Sequence, residues 1–170
     1  MTEPTPVTGR ACGACSLCCK LLEIGATDKP ADQWCPHCRP GKGGCTIYDH
    51  RPSVCRGFFC EWLINDALGP EWQPLRCRMV REVRPLQAFD GHLALVVNVD
   101  TSRPQIWREP LYFQRLKTVA LKMPVVVAVG FRFFRIFSTG AVEEQTMSAD
   151  EIERGRNEYR ARCKRDEGAA

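Results

Sequence analysis

The stretch Cys12-Gly-Ala-Cys15-Ser-Leu-Cys18-Cys19 sets four thiols within eight residues. A C-x2-C step lets two sulfurs address one metal while the backbone between them turns and offers N–H groups to the sulfurs. Gly13 eases that turn, and Cys18 extends the same face three residues further on. Cys19 follows directly, so the two neighbouring side chains point differently. Either they serve different metals or one of them is not a ligand. Moving outward, Cys35-Pro36-His37-Cys38 is a second C-x2-C step, and Cys45, Cys55 and Cys60 follow the Gly43-Gly44 turn. The candidate ligands are therefore Cys12, Cys15, Cys18, Cys19, Cys35, Cys38, Cys45, Cys55 and Cys60. Nine sulfurs are enough for two tetrahedral sites with one to spare, or for one cluster beside a reactive pair. His37 could add a nitrogen, although the plainer reading makes it a hydrogen-bonding neighbour. Arg51 and Arg56 bracket Cys55, where cations would offset thiolate charge, and Arg56 is the stronger candidate because it adjoins a ligand.

Ten of the eleven cysteines lie in residues 1–77; only Cys163 falls outside. Two readings compete, a disulfide framework and a thiolate metal site. The opening MTEPTPVTGR has no apolar h-region and is not a secretory signal. The longest apolar run, Val125–Val129, is far too short for a membrane span. These features point to a reducing cytosol, where disulfides do not persist, and so to metal. Cys77 and Cys163 read as buried core thiols rather than ligands.

Residues 11–80 form the cysteine-rich module, preceded by a flexible leader, 1–10. Their Gly and Pro punctuation and weak periodicity leave too little apolar surface to hold a fold together, so a metal must staple it. Short helices are expected over Ser16–Ile24, where Leu17, Leu21 and Ile24 share a face, and over Phe58–Leu68, ended by Gly69-Pro70. Residues 81–170 read as a small α+β part. A strand is expected at Leu93–Val99 after the Asp90-Gly91 turn, then a helix over Glu109–Met123 with Pro110 in its first turn. Strands follow at Val125–Val129 and Phe131–Phe137. A terminal helix opens on the capping box Ser148-Ala-Asp-Glu151, with ion pairs Asp150/Arg154 and Glu158/Arg162. The fold class is α+β: an irregular metal-stapled module packed on a small antiparallel sheet with helices.

The spacing Cys12-x2-Cys15-x2-Cys18-Cys19, then Cys45-x2-Tyr48, then Arg51-Pro52-x2-Cys55-Arg56-x-Phe58-x-Cys60 resembles the CxxCxxCC, or YkgJ-like, family of zinc- or iron-chelating cysteine-cluster proteins. Trp34-Cys35-Pro-His-Cys38 is similar to an insertion in a bacterial branch of that family. The resemblance covers roughly residues 11–80. It implies cysteine-ligated metal and a bacterial cytoplasmic setting, and it supplies no settled reaction.

The functional expectation is a cysteine-thiolate protein of zinc or iron, the latter alone or as an iron–sulfur cluster. Closed all-thiolate coordination favours zinc, and the spacing does not match ferredoxin runs. Phe58, Phe59 and Trp62 could wall a cluster, or simply form local core. One alternative is an Fe–S-dependent redox or group-transfer enzyme, which needs a pocket formed with residues 81–170. Another is a thiol redox switch using Cys18-Cys19 and the C-x2-C pairs. His50 and His92 stand alone and read as surface or turn residues. Residues 1–77 carry eight Lys/Arg and eight Asp/Glu, so the net +4 comes from residues 78–170. A neutral or thiolate-anionic cysteine half is a poor footprint for nucleic acid. Phe131-Arg-Phe-Phe-Arg135 is read as an amphipathic strand before a stacking platform.

Overall fold

The computed structural model describes residues 4–12, 15–42 and 44–168. Gly13 and Gly43, two of the expected turn residues, lie outside the described residues, as do residues 1–3 of the leader. The cysteine-rich part contains four one-turn helices: α1 (Cys18–Leu21), α2 (Ser53–Arg56), α3 (Glu61–Ile64) and α4 (Pro74–Cys77). A five-stranded sheet follows, of β1 (Met79–Pro85), β2 (Leu93–Val99), β3 (Val125–Val129), β4 (Arg132–Ile136) and β5 (Val142–Thr146). Helix α5 (Pro110–Val119) connects β2 to β3, and α6 (Ala149–Gly168) ends the chain. The fold is thus a mixed α+β one.

The strands lie in sequence order, and β2 and β3 run parallel while the other three pairs are antiparallel. The sheet is therefore only mostly antiparallel. A parallel pair needs a crossover of a dozen or more residues, and the segment carrying α5 provides it. The alternation of side chains along each strand decides what each face does. Leu95, Val97, Val99, Val125, Val127, Phe134 and Ile136 point to one side, where they bury against Trp72, Trp107, Tyr112 and Leu116 in the main core.

Three expected elements shrink. The Ser16–Ile24 helix is the single turn α1, because Leu22 turns extended and Ile24 instead pairs with Lys29 across a tight turn. The Phe58–Leu68 helix is the single turn α3, closed by extended Asn65. The Glu109–Met123 helix stops at Val119. Strands β1 and β5 have no counterpart in the sequence reading. In β1 the obstacle was Arg81, Glu82 and Arg84. Arg81 is nonetheless buried, since Glu61 accepts its guanidinium at 2.9 Å and its charge lies 4.4 Å from the Trp72 ring centroid.

The opposite sheet face receives the cysteine-rich part. Val80 packs with Leu17 and Leu21. At the strand ends Asp100, fully buried, joins the two parts: Lys20 Nζ of α1 donates at 2.7 Å, Arg78 Nη2 at 2.5 Å and the Ser102 amide at 2.9 Å. Burial alone would raise the Asp100 pKa, but these donors and the Arg78 charge outweigh it and hold the carboxyl below its ordinary value. Helix α6 opens on the expected capping box, with Ser148 and Glu151 exchanging hydrogen bonds. The two expected intrahelical ion pairs do not form among the described residues. The helix instead docks on the cysteine-rich part: Arg156 and Arg160 reach Glu23, Lys164 reaches Asp28, and the Tyr159 hydroxyl donates to the Glu23 carbonyl. Gly25 makes this docking close. A Cβ there would meet Cys163 Sγ at 3.0 Å and the Arg160 Cα at 3.1 Å.

The leader also touches this part. Val7 N–H donates to Leu63 O at 2.9 Å, and the Arg10 guanidinium reaches the carbonyls of Trp62 in α3 and of Asn65 and Leu68 just past it. No helix among the described residues is long and apolar enough to cross a membrane.

Candidate metal centre

All nine candidate cysteines line one cavity of about 1340 Å³. Its other walls are the sheet face opposite the main core, with Val80, Asn98 and Phe133, and helix α6, with Ile152 and Arg156. Cys77 and Cys163 do not line it. Both are buried, Cys77 in the main core and Cys163 where α6 meets Gly25. All eleven cysteines are free thiols.

Local backbone geometry gathers the thiols into two groups. In the first, Cys35 N–H donates to Cys19 O and Cys38 N–H to Cys35 O, so the second C-x2-C step folds back on the end of the first motif. Arg39 N–H to Gly44 O and Thr46 N–H to His37 O close a loop that sets Cys45 opposite Cys38. Cys35 and Cys38 are buried with Ile24, and Cys19, Val54 and Cys55 pack against them. In the second group, Cys15 N–H donates to Cys12 O in the first C-x2-C turn. Cys18 and Cys60 there pack with Leu22 and Phe58 against Leu17, Leu21 and Val80. Phe58 thus packs in local core and, with Trp62, also lines the cavity.

The electrostatics of the groups differ. The Cys18 thiol hydrogen bonds to the Cys19 sulfur, and together with a bond from Cys38 and the charges of Lys29 and Arg51 this outweighs burial and lowers the Cys19 pKa to about 6. The same bond, with burial, pushes Cys18 well above its ordinary value. Burial and then the charges of Cys19, Cys35 and Cys45 raise Cys55 to about 11. In the second group burial raises Cys15 and Cys60, Cys60 to about 11, although backbone N–H groups of Leu17 and Leu75 favour the Cys15 thiolate and those of Leu63 and Trp62 the Cys60 thiolate. Without a metal, most of these thiols are therefore held protonated, and binding a cation would release protons.

Lys29 was not singled out from the sequence. Its side chain is buried, and Nζ donates to Lys20 O at 2.7 Å and to Leu22 O, carbonyls at the C-terminal end of α1. Burial lowers its pKa to about 8, against the opposing pull of Cys35, Cys19 and Cys18. Nothing in a Thr-Asp-Lys-Pro loop signals this; only the turn that pairs Ile24 with Lys29 brings the amine inward. Ser16 was also missed. Its hydroxyl is buried without a hydrogen-bond partner of good geometry, and it lies beside Cys38, where it favours the thiolate.

The two arginines exchange the roles expected of them. Arg51 carries the charge felt by Cys19 and Cys55, and is fixed by Tyr48, whose carbonyl accepts from Nε at 2.9 Å and whose ring centroid lies 3.7 Å from the guanidinium carbon. Arg56 is exposed and donates to Arg51 O. His37 lines the cavity, while His50 and His92 are exposed. Thiols adjoin in both groups, but among the described residues no three His, Cys, Asp or Glu side chains converge as a ready-made metal ligand set. The donor chemistry fits zinc or iron, and either would have to draw the sulfurs of a group together.

Comparison with protein-family models, with curated proteins and with solved structures gives no match for this chain.

Proposed function

We propose that this chain is a cysteine-thiolate metal-binding protein, taking zinc first and iron, alone or in an iron–sulfur cluster, as the alternative metal. The observation that carries this reading is the selective gathering of thiols. Nine cysteines from separate stretches of chain line one cavity, while the two cysteines outside the motif do not. A segment with so little core of its own spends free energy to bring nine thiols together, and metal coordination returns it. The cations Lys29 and Arg51 lie where a thiolate cluster would need positive charge. The likeness of the cysteine spacing to the YkgJ-like family points the same way and adds a bacterial cytoplasmic setting.

The test is elemental analysis and an absorption spectrum of natively folded protein purified without oxygen. One or two zinc per chain and no colour, or iron with visible sulfur-to-iron absorption, is the expected result. Folded protein with essentially no bound metal would overturn the reading.

One observation favours a second reading, an Fe–S-dependent redox or group-transfer enzyme. The cysteine-lined cavity extends past the thiols to Asn98 and Phe133 on the sheet and Ile152 on α6, which leaves room for a small molecule beside the thiols. A colourless zinc protein would remove that reading.

A further inference from the structure

We propose that the nine thiols divide into two separate metal sites and that the adjacent Cys18 and Cys19 mark the division. Cys19 joins Cys35, Cys38 and Cys55 in an inner site, with Cys45 at its rim. Cys18 joins Cys12, Cys15 and Cys60 in an outer one. The inference rests on the metal-binding reading and says how that site is organised.

Three features support the division, and the packing carries it. The first is packing. Cys19 and Cys55 pack against buried Cys35, Cys38 and Ile24, whereas Cys18 and Cys60 pack against Leu17, Leu21 and Val80. Neighbouring residues of one helical turn, about 100° apart around its axis, thus feed two different clusters. The second is charge. Four thiolates around a divalent cation leave a net charge of −2, and buried Lys29 with Arg51 brings two positive charges to Cys19 in the inner group, with Arg51 also acting on Cys12 and Lys29 on Cys18. At the outer group the compensation is dipolar, from the amides of Leu17 and Leu75 toward Cys15 and of Leu63 and Trp62 toward Cys60. The third is the buried Ser16 hydroxyl beside Cys38, an unpartnered donor suited to a sulfur that carries charge. Each group must close around its metal, since no three sulfurs converge among the described residues.

The test uses the full chain, prepared without oxygen and titrated with cobalt(II) as a spectroscopic stand-in for zinc. Two isolated sites predict a saturating stoichiometry of two per chain and a high-spin cobalt electron paramagnetic resonance signal that grows linearly to the second equivalent. A signal that falls between the first and second equivalents means a thiolate-bridged cluster and overturns the division. Saturation at one metal overturns it as well, while leaving the metal-binding reading intact. No binding at all overturns that reading, and the division with it. These measurements need no variant to fold. With variants, Cys38→Ser and Cys60→Ser should each keep one metal, and the two residual cobalt spectra should sum to that of the unaltered chain. Lys29→Met should weaken one site by roughly 10–100-fold, as loss of an outer-shell partner does, and weaken the other less. Equal weakening of both sites would overturn the assignment of Lys29 to the inner one.

Discussion

Replacing Asp100 by Asn removes the charge that joins the cysteine-rich part to the sheet. The carboxylate is fully buried and accepts three hydrogen bonds, two of them from cations, Lys20 Nζ at 2.7 Å and Arg78 Nη2 at 2.5 Å. A carboxamide has one acceptor oxygen, so its NH2 must face one of those cations. Losing one partner of a buried charge network costs about 3–5 kcal/mol. Lys20 and Arg78 keep side-chain exposures of 17% and 29%, so water can recover part of their solvation and the lower end, about 3 kcal/mol, is expected. With a urea slope of about 2 kcal/mol/M, the unfolding midpoint should fall by about 1.5 M. The pH dependence has a definite sign. The Asp100 pKa is lowered on folding, so its stabilisation is complete above the unfolded value, about pH 4, and is lost as pH falls through the folded value. Stability of the unaltered chain should therefore decline below about pH 4 more steeply than that of Asp100→Asn. A Lys20→Met, Asp100→Asn double-mutant cycle should give a coupling of at least about 0.5 kcal/mol. A midpoint shift equivalent to less than about 1 kcal/mol, or identical acid limbs, would refute the assignment of Asp100 as the joint between the two parts.

Gly25→Ala should cost about 1–3 kcal/mol, because the new Cβ meets the Arg160 backbone at 3.1 Å and the Cys163 sulfur at 3.0 Å. Faster amide exchange over α6, with the sheet unchanged, would identify the loss as undocking of that helix. Cys15→Ser should lower metal content and loosen the cysteine-rich part, so an undiminished metal content would contradict its place among the ligands. Cys163→Ser, at a buried thiol away from the cavity, should leave metal content unchanged. Glu23→Gln removes the ion pairs with Arg156 and Arg160 at the same docking surface; a loss of about 1 kcal/mol that shrinks in high salt is expected.

Much of the sheet was legible because its inner strands are strongly patterned. Leu93–Val99 and Val125–Val129 are apolar, Val-rich runs bounded by turn signals, and both are strands with those limits. Ser148 and Glu151 announced the start of α6 by side-chain chemistry alone. Strand β1 was illegible because Arg81, Glu82 and Arg84 look like surface residues. Their burial or pairing depends on Glu61, Trp72 and Asn98, which no local window contains. Strand β5, Val142–Thr146, is held at the sheet edge by backbone pairing and by Glu144 against Arg132, not by a hydrophobic pattern. The apolar spacing of Leu17, Leu21 and Ile24 suggested a longer helix than α1. The tight turn that pairs Ile24 with Lys29 overrides that spacing.

The amino-acid sequence by itself determined the candidate donors, since a C-x2-C turn is a local property of a few residues, and it separated nine clustered cysteines from Cys77 and Cys163. Only the tertiary structure decided which of those nine lie beside one another. Loop closure brought Cys35 onto Cys19 and Cys45 onto Cys38, the sheet face received Cys18 and Cys60 through Val80, and a turn carried Lys29 inward. Proximity of residues far apart in the chain, and the charge that one buried group imposes on another, follow from the packing of the whole molecule and leave no trace in local spacing.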